Sequence, residues 1–338
     1  MDSFKTFTSA LGAGLVLYIS YKLVDAVWLY TRPSRIGRYL YPDASGRRAW
    51  AMVTGSSDGI GRCLALELAG HGFNVVLHGR DRDKLDAVRR ELGAAHPAAE
   101  TRVAVADAAE CHRPDAVDFD RIRDEMAALH LTVLVNCAGS GPRPAAFGAL
   151  ESYARDDVLA TLLLNAAFPT LLTAALLPVL RGRHYPGQGK TKPGGGGDGG
   201  GGGRRKRALV INIGSVTDDG FPLVSFYSAG KAATHALHKA LAREAALEGT
   251  GTEIISHRVA AVTGVSHTRA PPTLFRPHAR TLARAVLART GCGRKSVVPY
   301  WPHALLDAIL GLLPEGVLDG IVNAAMREER VQERAGKR

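Results

Sequence analysis

Tyr227 and Lys231 are the residues of this chain best suited to acid–base chemistry. The segment FYSAGKAATHALHKALAREAAL has helical periodicity, which places them one turn apart on the same face. A free tyrosine ionises near pH ~10. A neighbouring ammonium favours the phenolate, so we expect Lys231 to lower the pKa of Tyr227. The pair could then exchange a proton with a carbonyl or hydroxyl oxygen.

Ser215 ends the β-branched run ALVINIGS, which is predicted as a buried parallel strand just before that helix. Its hydroxyl could hydrogen-bond the same substrate oxygen. The spacing of Tyr227 and Lys231 alone is also common on ordinary solvent-facing helices. Its interpretation therefore depends on the segments that come before it.

A glycine-rich turn follows the predicted strand WAMVT and leads into the predicted helix RCLALELAGHG. In this turn, TGSSDGIG, the residues Gly55, Gly59 and Gly61 allow the backbone to approach a pyrophosphate. The dipole of the helix N-terminus favours that negative charge. Strand, glycines and helix in this order indicate a dinucleotide-binding site.

TGSSDGIG, then NCAG at 136–139, then YSAGK together resemble the short-chain dehydrogenase/reductase family over roughly residues 49–298. The resemblance implies a single α/β domain of Rossmann type, with a doubly wound parallel sheet. It also implies four catalytic residues, in which Asn165 holds a water for proton relay. These four are Asn165, Ser215, Tyr227 and Lys231.

The resemblance implies a cofactor site as well. In the family pattern Asp107 meets the adenine, and Asn136 is mainly structural. The residues assigned to this site are Gly55, Ser57, Asp58, Gly59, Ile60, Gly61, Arg80, Asp107, Asn136, Tyr227, Lys231, Val262 and Thr263.

The choice between NAD and NADP depends on the end of the second predicted strand, NVVLHG. An acidic residue about 20 positions beyond the glycines usually binds a free ribose 2′-hydroxyl. Here Arg80 follows the strand and can pair with a 2′-phosphate, so NADP(H) is predicted. Asp81 argues for NAD, but we expect it to cap the next helix.

Two segments depart from the family pattern. Most members have a Pro-Gly turn after the sixth strand, where this chain has Ala-Ala-Val-Thr at 260–263. The interval from Ser215 to Tyr227 is also one residue shorter than usual, so Gly214 occupies the formal register. Ser215 remains the predicted hydroxyl because it is the one at the strand end.

Residues 6–21 form an uncharged run, and a membrane span needs about 20 apolar residues. The run reaches that length by including Lys22 and Asp25, which could pair with each other, or Lys22 could snorkel to the interface. The alternative is an amphipathic helix lying in the interface. Basic residues lie mainly after the run, which predicts a cytosolic catalytic domain. They are Arg32, Arg35, Arg38, Arg47 and Arg48, against Lys5 before it.

The net charge of +11 could suggest a nucleic-acid partner. The basic residues are scattered and no aromatic stacking platform accompanies them, so we expect no nucleic acid. An anionic cofactor, an anionic substrate or a membrane surface explains the charge better. The four cysteines lack metal-ligand spacing, so we expect no metal site and free thiols in a reducing compartment.

The predicted organisation has three parts. Residues 1–48 are a membrane anchor and basic linker, and 49–300 are the reductase domain. A flexible glycine-rich insertion occupies 181–207. Residues 301–338 are an apolar helical extension ending in a charged, solvated tail; the extension could be a substrate lid, a dimer surface or a second membrane contact.

The anchor, WAMVTGSSDGIG, the arginine after the second strand, VTGVS and PYWPHALLDAILGLLPE together resemble one branch of the family. That branch holds the microsomal very-long-chain 3-oxoacyl-CoA reductases and related 17β-hydroxysteroid dehydrogenases. It implies NADPH-dependent reduction of a lipophilic ketone, above all a long-chain 3-oxoacyl-CoA, at the endoplasmic reticulum membrane. A steroid or other lipid alcohol dehydrogenase, a non-catalytic membrane-tethered paralogue and a homodimer remain open.

Overall fold

The computed structural model describes residues 2–142, 145–182, 207–266, 268 and 270–336. Seven parallel strands form one sheet in the order β3-β2-β1-β4-β5-β6-β7. The order reverses between β1 and β4, which is the switch point where doubly wound sheets bind ligands. The strands are β1 Trp50–Thr54, β2 Asn74–Gly79, β3 Thr101–Val105, β4 Leu131–Asn136, β5 Ala208–Ser215, β6 Thr252–Val259 and β7 Ser296–Val297. The predicted fold class is confirmed.

Helices cover both faces of this sheet, and further helices lie at the two ends of the chain. Along the chain they are α1 Asp2–Thr31, α2 Gly59–Gly70, α3 Arg82–Ala95, α4 Phe119–Ala127, α5 Arg155–Leu162, α6 Phe168–Leu180, α7 Ser225–Leu247, α8 Ala279–Ala288, α9 Trp301–Leu310 and α10 Glu315–Gly336.

The core has two layers because successive strand residues point to opposite faces. In β1, Val53 packs with α2, α3 and α8, whereas Met52 packs with α4 and α6. The central strands β1, β2, β4 and β5 are buried throughout, which explains their nearly continuous apolar sequences. The carboxyl ends of these strands are thereby fixed at one edge of the sheet.

Two segments near the site have irregular turns. Residues 155–180 form α5, a π-helical turn at Leu163–Ala167, and α6. The third strand ends at Val105, and Asp107 begins a short 3₁₀ turn. Of the predicted insertion at 181–207, residues 183–206 lie outside the described residues.

The helix α1 exposes apolar side chains over most of its length, and its last turns attach to the domain. Leu29 is buried, and the Tyr30 hydroxyl donates to the Val298 carbonyl at 2.7 Å. The predicted pairing of Lys22 with Asp25 is wrong, because the domain's Arg294 binds the Asp25 carboxylate. The Lys22 ammonium lies over the Tyr18 ring instead.

Two helical segments are long and apolar enough to cross a membrane. The first is Phe4–Thr31, whose most apolar window is entirely exposed. The second, Arg155–Leu180, comprises α5, the π turn and α6 and belongs to the domain core, where 39% of its window is buried. Only the first is therefore a candidate anchor among the described residues.

The charged end of α10 is largely exposed, but two of its acidic side chains bind the domain. The Glu333 carboxylate accepts hydrogen bonds from the backbone N–H groups of Ala146 at 2.8 Å and Phe147 at 3.3 Å. Glu329 pairs with Arg276 at 3.1 Å. These acidic groups face loop N–H groups and a guanidinium, so they hold the helix end against two loops of the domain.

Candidate active site

Ser215, Tyr227 and Lys231 meet at the carboxyl edge of the sheet. Ser215 ends β5, and the other two lie on the first turns of α7. The Lys231 ammonium is buried, donates to the Ile213 carbonyl at 3.0 Å and lies 5.7 Å from the centre of the Tyr227 ring. The structure therefore brings these three predicted residues together.

The ionisation of Tyr227 differs from the expectation. Burial raises the pKa of Tyr227 to about 12, and a hydrogen bond from the Ser215 hydroxyl only partly opposes this shift. Burial also lowers the pKa of Lys231 to about 8. The predicted lowering of the Tyr227 pKa by Lys231 is not found in this structure, because burial of the phenol raises that pKa and Lys231 is not among the groups that lower it. At neutral pH Tyr227 is a phenol that can donate its proton.

The orientation of Ser215 is set by the 3₁₀ turn Val216–Asp219. Its oxygen accepts from the Thr217 N–H at 3.2 Å and from the Thr217 hydroxyl at 3.0 Å. Both bonds use lone pairs, which leaves the Ser215 O–H to be donated. Despite the shortened interval, the Ser215 side chain acts on Tyr227, whose pKa it lowers.

The shortened interval contains a strained residue. Leu223 has a φ of 64°, which side chains other than Gly rarely adopt. Its carbonyl accepts from the Gly148 N–H at 3.0 Å. Strain of this kind persists where the surrounding structure over-determines it, often near functional sites.

Asn165 lies in the π-helical turn, a distortion often found at functional sites. Its amide nitrogen donates to the carbonyls of Ser140 and Thr161, both at 2.9 Å. Its buried Oδ1 has no hydrogen-bond partner within the described ranges. A Cβ on Gly139 would lie 2.8 Å from this oxygen and 2.9 Å from Lys231 Nζ. The unpaired oxygen beside Lys231 can hold a water, as the relay prediction requires.

The glycine turn after β1 packs closely against the turn after β4. Gly55 has a φ of 65°, and a Cβ there would lie 2.8 Å from the Ala138 Cα. A Cβ on Gly61 would overlap the Gly55 carbonyl. No side chain of these glycines covers the backbone at the N-terminus of α2, so a pyrophosphate can approach the backbone closely there. These residues fit a dinucleotide.

The other predicted turn residues have more local contacts. Asp58 caps α2 by accepting from the Gly59 N–H at 2.7 Å. Ser57 reaches the end of β2, where its Oγ lies 3.6 Å from a Cβ placed on Gly79. Ile60 is partly buried against the core. Ser57 is thus the turn side chain that points toward the adenosine end of a dinucleotide site.

Arg80 and Asp107 lie side by side at the ends of β2 and β3. Their closest atoms, Nη1 and Oδ2, are 3.8 Å apart; the Arg80 side chain is about half exposed and the Asp107 side chain is less exposed. Asp81 caps α3 by accepting from the Lys84 N–H at 3.1 Å, as predicted. Arg80 is therefore the basic residue beside the predicted adenine contact.

Asn136 is buried behind the site. Its amide nitrogen lies 2.8 Å from the Thr173 hydroxyl and 3.2 Å from His238 Nε2. These contacts join β4 to α6 and α7, so they support a structural role rather than direct cofactor binding.

The segment that replaces the Pro-Gly turn is held by its own bonds. Val262 and Thr263 are buried, and the Thr263 hydroxyl donates to the Ala270 carbonyl at 2.5 Å. Val265 then crosses the start of α2, 3.0 Å from a Cβ placed on Gly59. The loop after β6 therefore covers the glycine turn without a Pro-Gly sequence.

Sequence reasoning missed Thr54 and Arg258. The Thr54 hydroxyl accepts from the N–H groups of Cys137 and Ala138, both at 2.9 Å, and so joins the two turns. Thr54 is the first residue of TGSSDGIG, and this position could have indicated its role in the sequence. Arg258, in β6, binds Asp218 in the turn that follows Ser215 at 2.7 Å. A lone arginine in a strand gave no signal.

Comparisons with known proteins agree with this geometry. Residues 49–189 match the family model described as short chain dehydrogenase. The very-long-chain 3-oxoacyl-CoA reductase of Homo sapiens is 30% identical over 92% of this chain and 90% of that protein. A Caenorhabditis elegans protein named provisionally as steroid dehydrogenase 3 is 28% identical over 98% of this chain and 96% of its own length.

Solved structures share the fold. A metagenomic short-chain oxidoreductase in complex with NADP is 26% identical, with a TM-score of 0.53 over 74% of this chain and 96% of that chain. A 7β-hydroxysteroid dehydrogenase structure has a TM-score of 0.64 at 18% identity, over 81% and 96% of the two chains. The motifs, the sheet order and the human relative lead to one conclusion: this chain is an oxidoreductase that belongs to the short-chain dehydrogenase family.

Proposed function

We propose that this protein is an NADPH-dependent reductase of long-chain 3-oxoacyl-CoA at the endoplasmic reticulum membrane. The observation that carries the proposal is that Ser215, Tyr227 and the buried Lys231 meet at the carboxyl edge of the sheet, where burial raises the pKa of Tyr227. A phenol that keeps its proton at neutral pH suits reduction, in which a general acid must donate. The substrate class follows from the name of the human relative and of a Pyricularia oryzae relative 26% identical over 88% of this chain and 83% of that protein.

A reduced nicotinamide supplies a hydride to the carbonyl carbon when it is bound. Ser215 donates a hydrogen bond to the carbonyl oxygen and holds it near Tyr227. Tyr227 transfers its phenolic proton to that oxygen, so one C–H and one O–H bond form and a phenolate remains. Lys231 stabilises the phenolate by its charge, and a water on Asn165 Oδ1 returns the proton.

The preference for NADP(H) rests on Arg80. Its guanidinium stands at the end of β2 beside Asp107, and Ser57 approaches the same strand end. A guanidinium and a hydroxyl together suit a 2′-phosphate. The Asp81 carboxylate accepts from the Lys84 N–H and lies 3.6 Å from the Lys84 ammonium, which partly offsets its charge near that phosphate.

A membrane location is supported by α1. At 1.5 Å per residue its 30 residues measure about 45 Å, longer than the roughly 30 Å hydrocarbon core. Its exposed apolar residues continue without an amphipathic pattern, which favours spanning over lying in the interface. Alkaline carbonate extraction should leave the protein in the membrane pellet. Release into the soluble fraction would contradict anchoring and leave the reductase proposal intact.

The second candidate is a steroid dehydrogenase, which the name of the Caenorhabditis elegans relative favours. Purified full-length protein with NADPH should reduce a long-chain 3-oxoacyl-CoA with a higher kcat/KM than any ketosteroid. The reverse preference would support the second candidate. NADPH binding without turnover of either class would indicate a non-catalytic paralogue.

A further inference from the structure

The helix α9 presents a continuous apolar ridge to the outside of the protein. Trp301, Leu305 and Ile309 recur every four residues, so they share one face. Exposed contiguous apolar side chains of this size mark an interaction surface. We call this surface the α9 ridge; it consists of Trp301 (52% exposed), Leu305 (51%), Leu306 (39%), Ile309 (50%) and Leu312 (85%).

No charge lies on the ridge. The one charged residue of α9, Asp307, turns toward the domain and lies 3.4 Å from Arg258. The neighbouring residues Pro302 and His303 are buried. The helix is thus attached by one side and apolar on the other.

The α9 ridge starts beside the attachment of α1. Val298, whose carbonyl binds the Tyr30 hydroxyl, is followed three residues later by Trp301. Three residues span at most about 10 Å. Arg294, just before β7, binds Asp25 of α1. The segment from Arg294 to Val298, which leads through β7 toward α9, therefore contacts α1 at two positions.

The positions of these two contacts along α1 place the ridge at the membrane surface. Since α1 is about 15 Å longer than a roughly 30 Å hydrocarbon core, its last turns protrude. Asp25 and Tyr30 lie in those turns. Tryptophan is a residue enriched at membrane interfaces. Arg35, Arg38 and Lys295 are exposed nearby and suit anionic headgroups.

We propose that the α9 ridge lies in the lipid interface, so that the domain contacts the bilayer through both α1 and α9. The proposal rests on the membrane anchoring proposed above. A second copy of the chain on the ridge would have to displace lipid directly beside α1. The bilayer is therefore the occupant that the position of the ridge favours.

The ridge continues toward the active site. His303 Nε2 donates to the Phe275 carbonyl at 3.0 Å, and the side chains of Leu274 and Phe275 are about half exposed. They belong to the loop after β6, in which Val265 lies against the glycine turn. A lipid-borne substrate could thus pass from the bilayer to the site along apolar residues.

Tryptophan quenching by brominated phosphatidylcholine tests the proposal on the full chain in vesicles. The protein has three tryptophans, and Trp50 is buried in β1. In a Trp28→Phe protein, the Trp301 emission should be blue-shifted and should lose intensity when the lipid is brominated near the headgroups. That loss should disappear in Trp28→Phe/Trp301→Phe.

A matched control adds Leu247→Trp to the Trp28→Phe/Trp301→Phe protein, which places a tryptophan on an exposed surface away from the ridge. Leu247 is 88% exposed at the end of α7, in the layer opposite the one that holds Leu29. The emission of the tryptophan introduced by Leu247→Trp should be unaffected by bromination of the lipid. Unquenched Trp301 in vesicle-bound protein would overturn the proposal, and a blue shift reversed by dilution would assign the ridge to a second copy.

The quenching experiment distinguishes failure of the ridge proposal from failure of the anchor and reductase proposals. Protein that fails to float with the vesicles would overturn both the anchor and the ridge. NADPH oxidation in the same samples reports the reductase proposal independently. Quenching with no turnover would retain the ridge and reject the function.

Discussion

The active-site edge and the terminal helices of this protein are held in different ways. At the edge, Asn165 and Lys231 are buried, and short local bonds fix each side chain. The ends of α1 and α10 instead attach through a few long-range bonds of Arg289, Arg294 and Glu333. Catalysis needs side chains that are held in fixed positions before the reaction. Attachment of a terminal helix to the domain needs only a few contacts. Substitutions at the edge should therefore change turnover or cofactor affinity, and those at the ends should change attachment.

The largest effect on cofactor binding is expected from Gly61→Ala. The added Cβ would overlap the Gly55 carbonyl oxygen, and backbone cannot move aside as a flexible side chain can. The turn would have to shift and its N–H groups would lose alignment with the pyrophosphate. Loss of two hydrogen bonds to a charged group, at roughly 1.5–3 kcal/mol each, corresponds to at least about 100-fold weaker NADPH binding. Calorimetry on the purified protein measures it.

The matched control is Gly93→Ala. Gly93 lies in α3 with no atom within 4 Å of an added Cβ, so affinity should be unchanged. Equal affinity in the Gly61→Ala and Gly93→Ala proteins would exclude the glycine turn from the cofactor site.

A smaller effect is expected from Arg80→Ala. Loss of a hydrogen bond to a charged group costs roughly 1.5–3 kcal/mol, which is about 10- to 100-fold in NADPH affinity. NADH affinity should not change. Arg82→Ala, which removes an exposed guanidinium paired with Asp86, is the control. An equal loss for both cofactors would place Arg80 away from the 2′-phosphate.

The edge of the sheet was predictable because its signals are local. Strands buried on both faces give apolar runs, and the glycine turn and the Tyr227–Lys231 spacing lie within short segments. The raised pKa of Tyr227 was not predictable, because burial depends on the whole fold. The same holds for Asp25 with Arg294 and for Glu333 with Ala146, which are far apart in sequence. The π turn around Asn165 has no signature in the apolar periodicity.

Stability should depend on pH through buried histidines near the edge. Burial lowers the pKa of His78 to about 4 and that of His257 to about 3. An unfolded histidine binds a proton near pH ~6.5. Each buried residue therefore contributes stability that is present above that pH and is lost as pH falls toward the folded value.

Urea unfolding in detergent at pH 7 and pH 5 should show a loss of roughly 2 kcal/mol per buried histidine. His78 stacks on Phe168, and neither of its ring nitrogens has a partner among the residues described. In His78→Phe the loss between the two pH values should shrink by about that amount. An unchanged loss would show that His78 does not titrate on unfolding.

The smallest effect on kcat is expected from Arg289→Met. Arg289 donates to the carbonyls of Leu29 and Tyr30, the last carbonyls of α1. Its removal should destabilise this attachment by about 1–2 kcal/mol. Hydrogen exchange around residues 29–35 should quicken while kcat stays unchanged. A fall in kcat comparable to that of an edge variant would show that the two regions are not separable.

The central claim is that Tyr227 is the general acid of a reduction. Turnover of a long-chain 3-oxoacyl-CoA by Tyr227→Phe, with NADPH affinity measured on the same protein, tests it most directly. We expect turnover to fall at least about 10²-fold, as loss of a general acid implies, with NADPH affinity unchanged. Turnover within a few-fold of the native protein would contradict the assignment of Tyr227 and the reductase mechanism built on it.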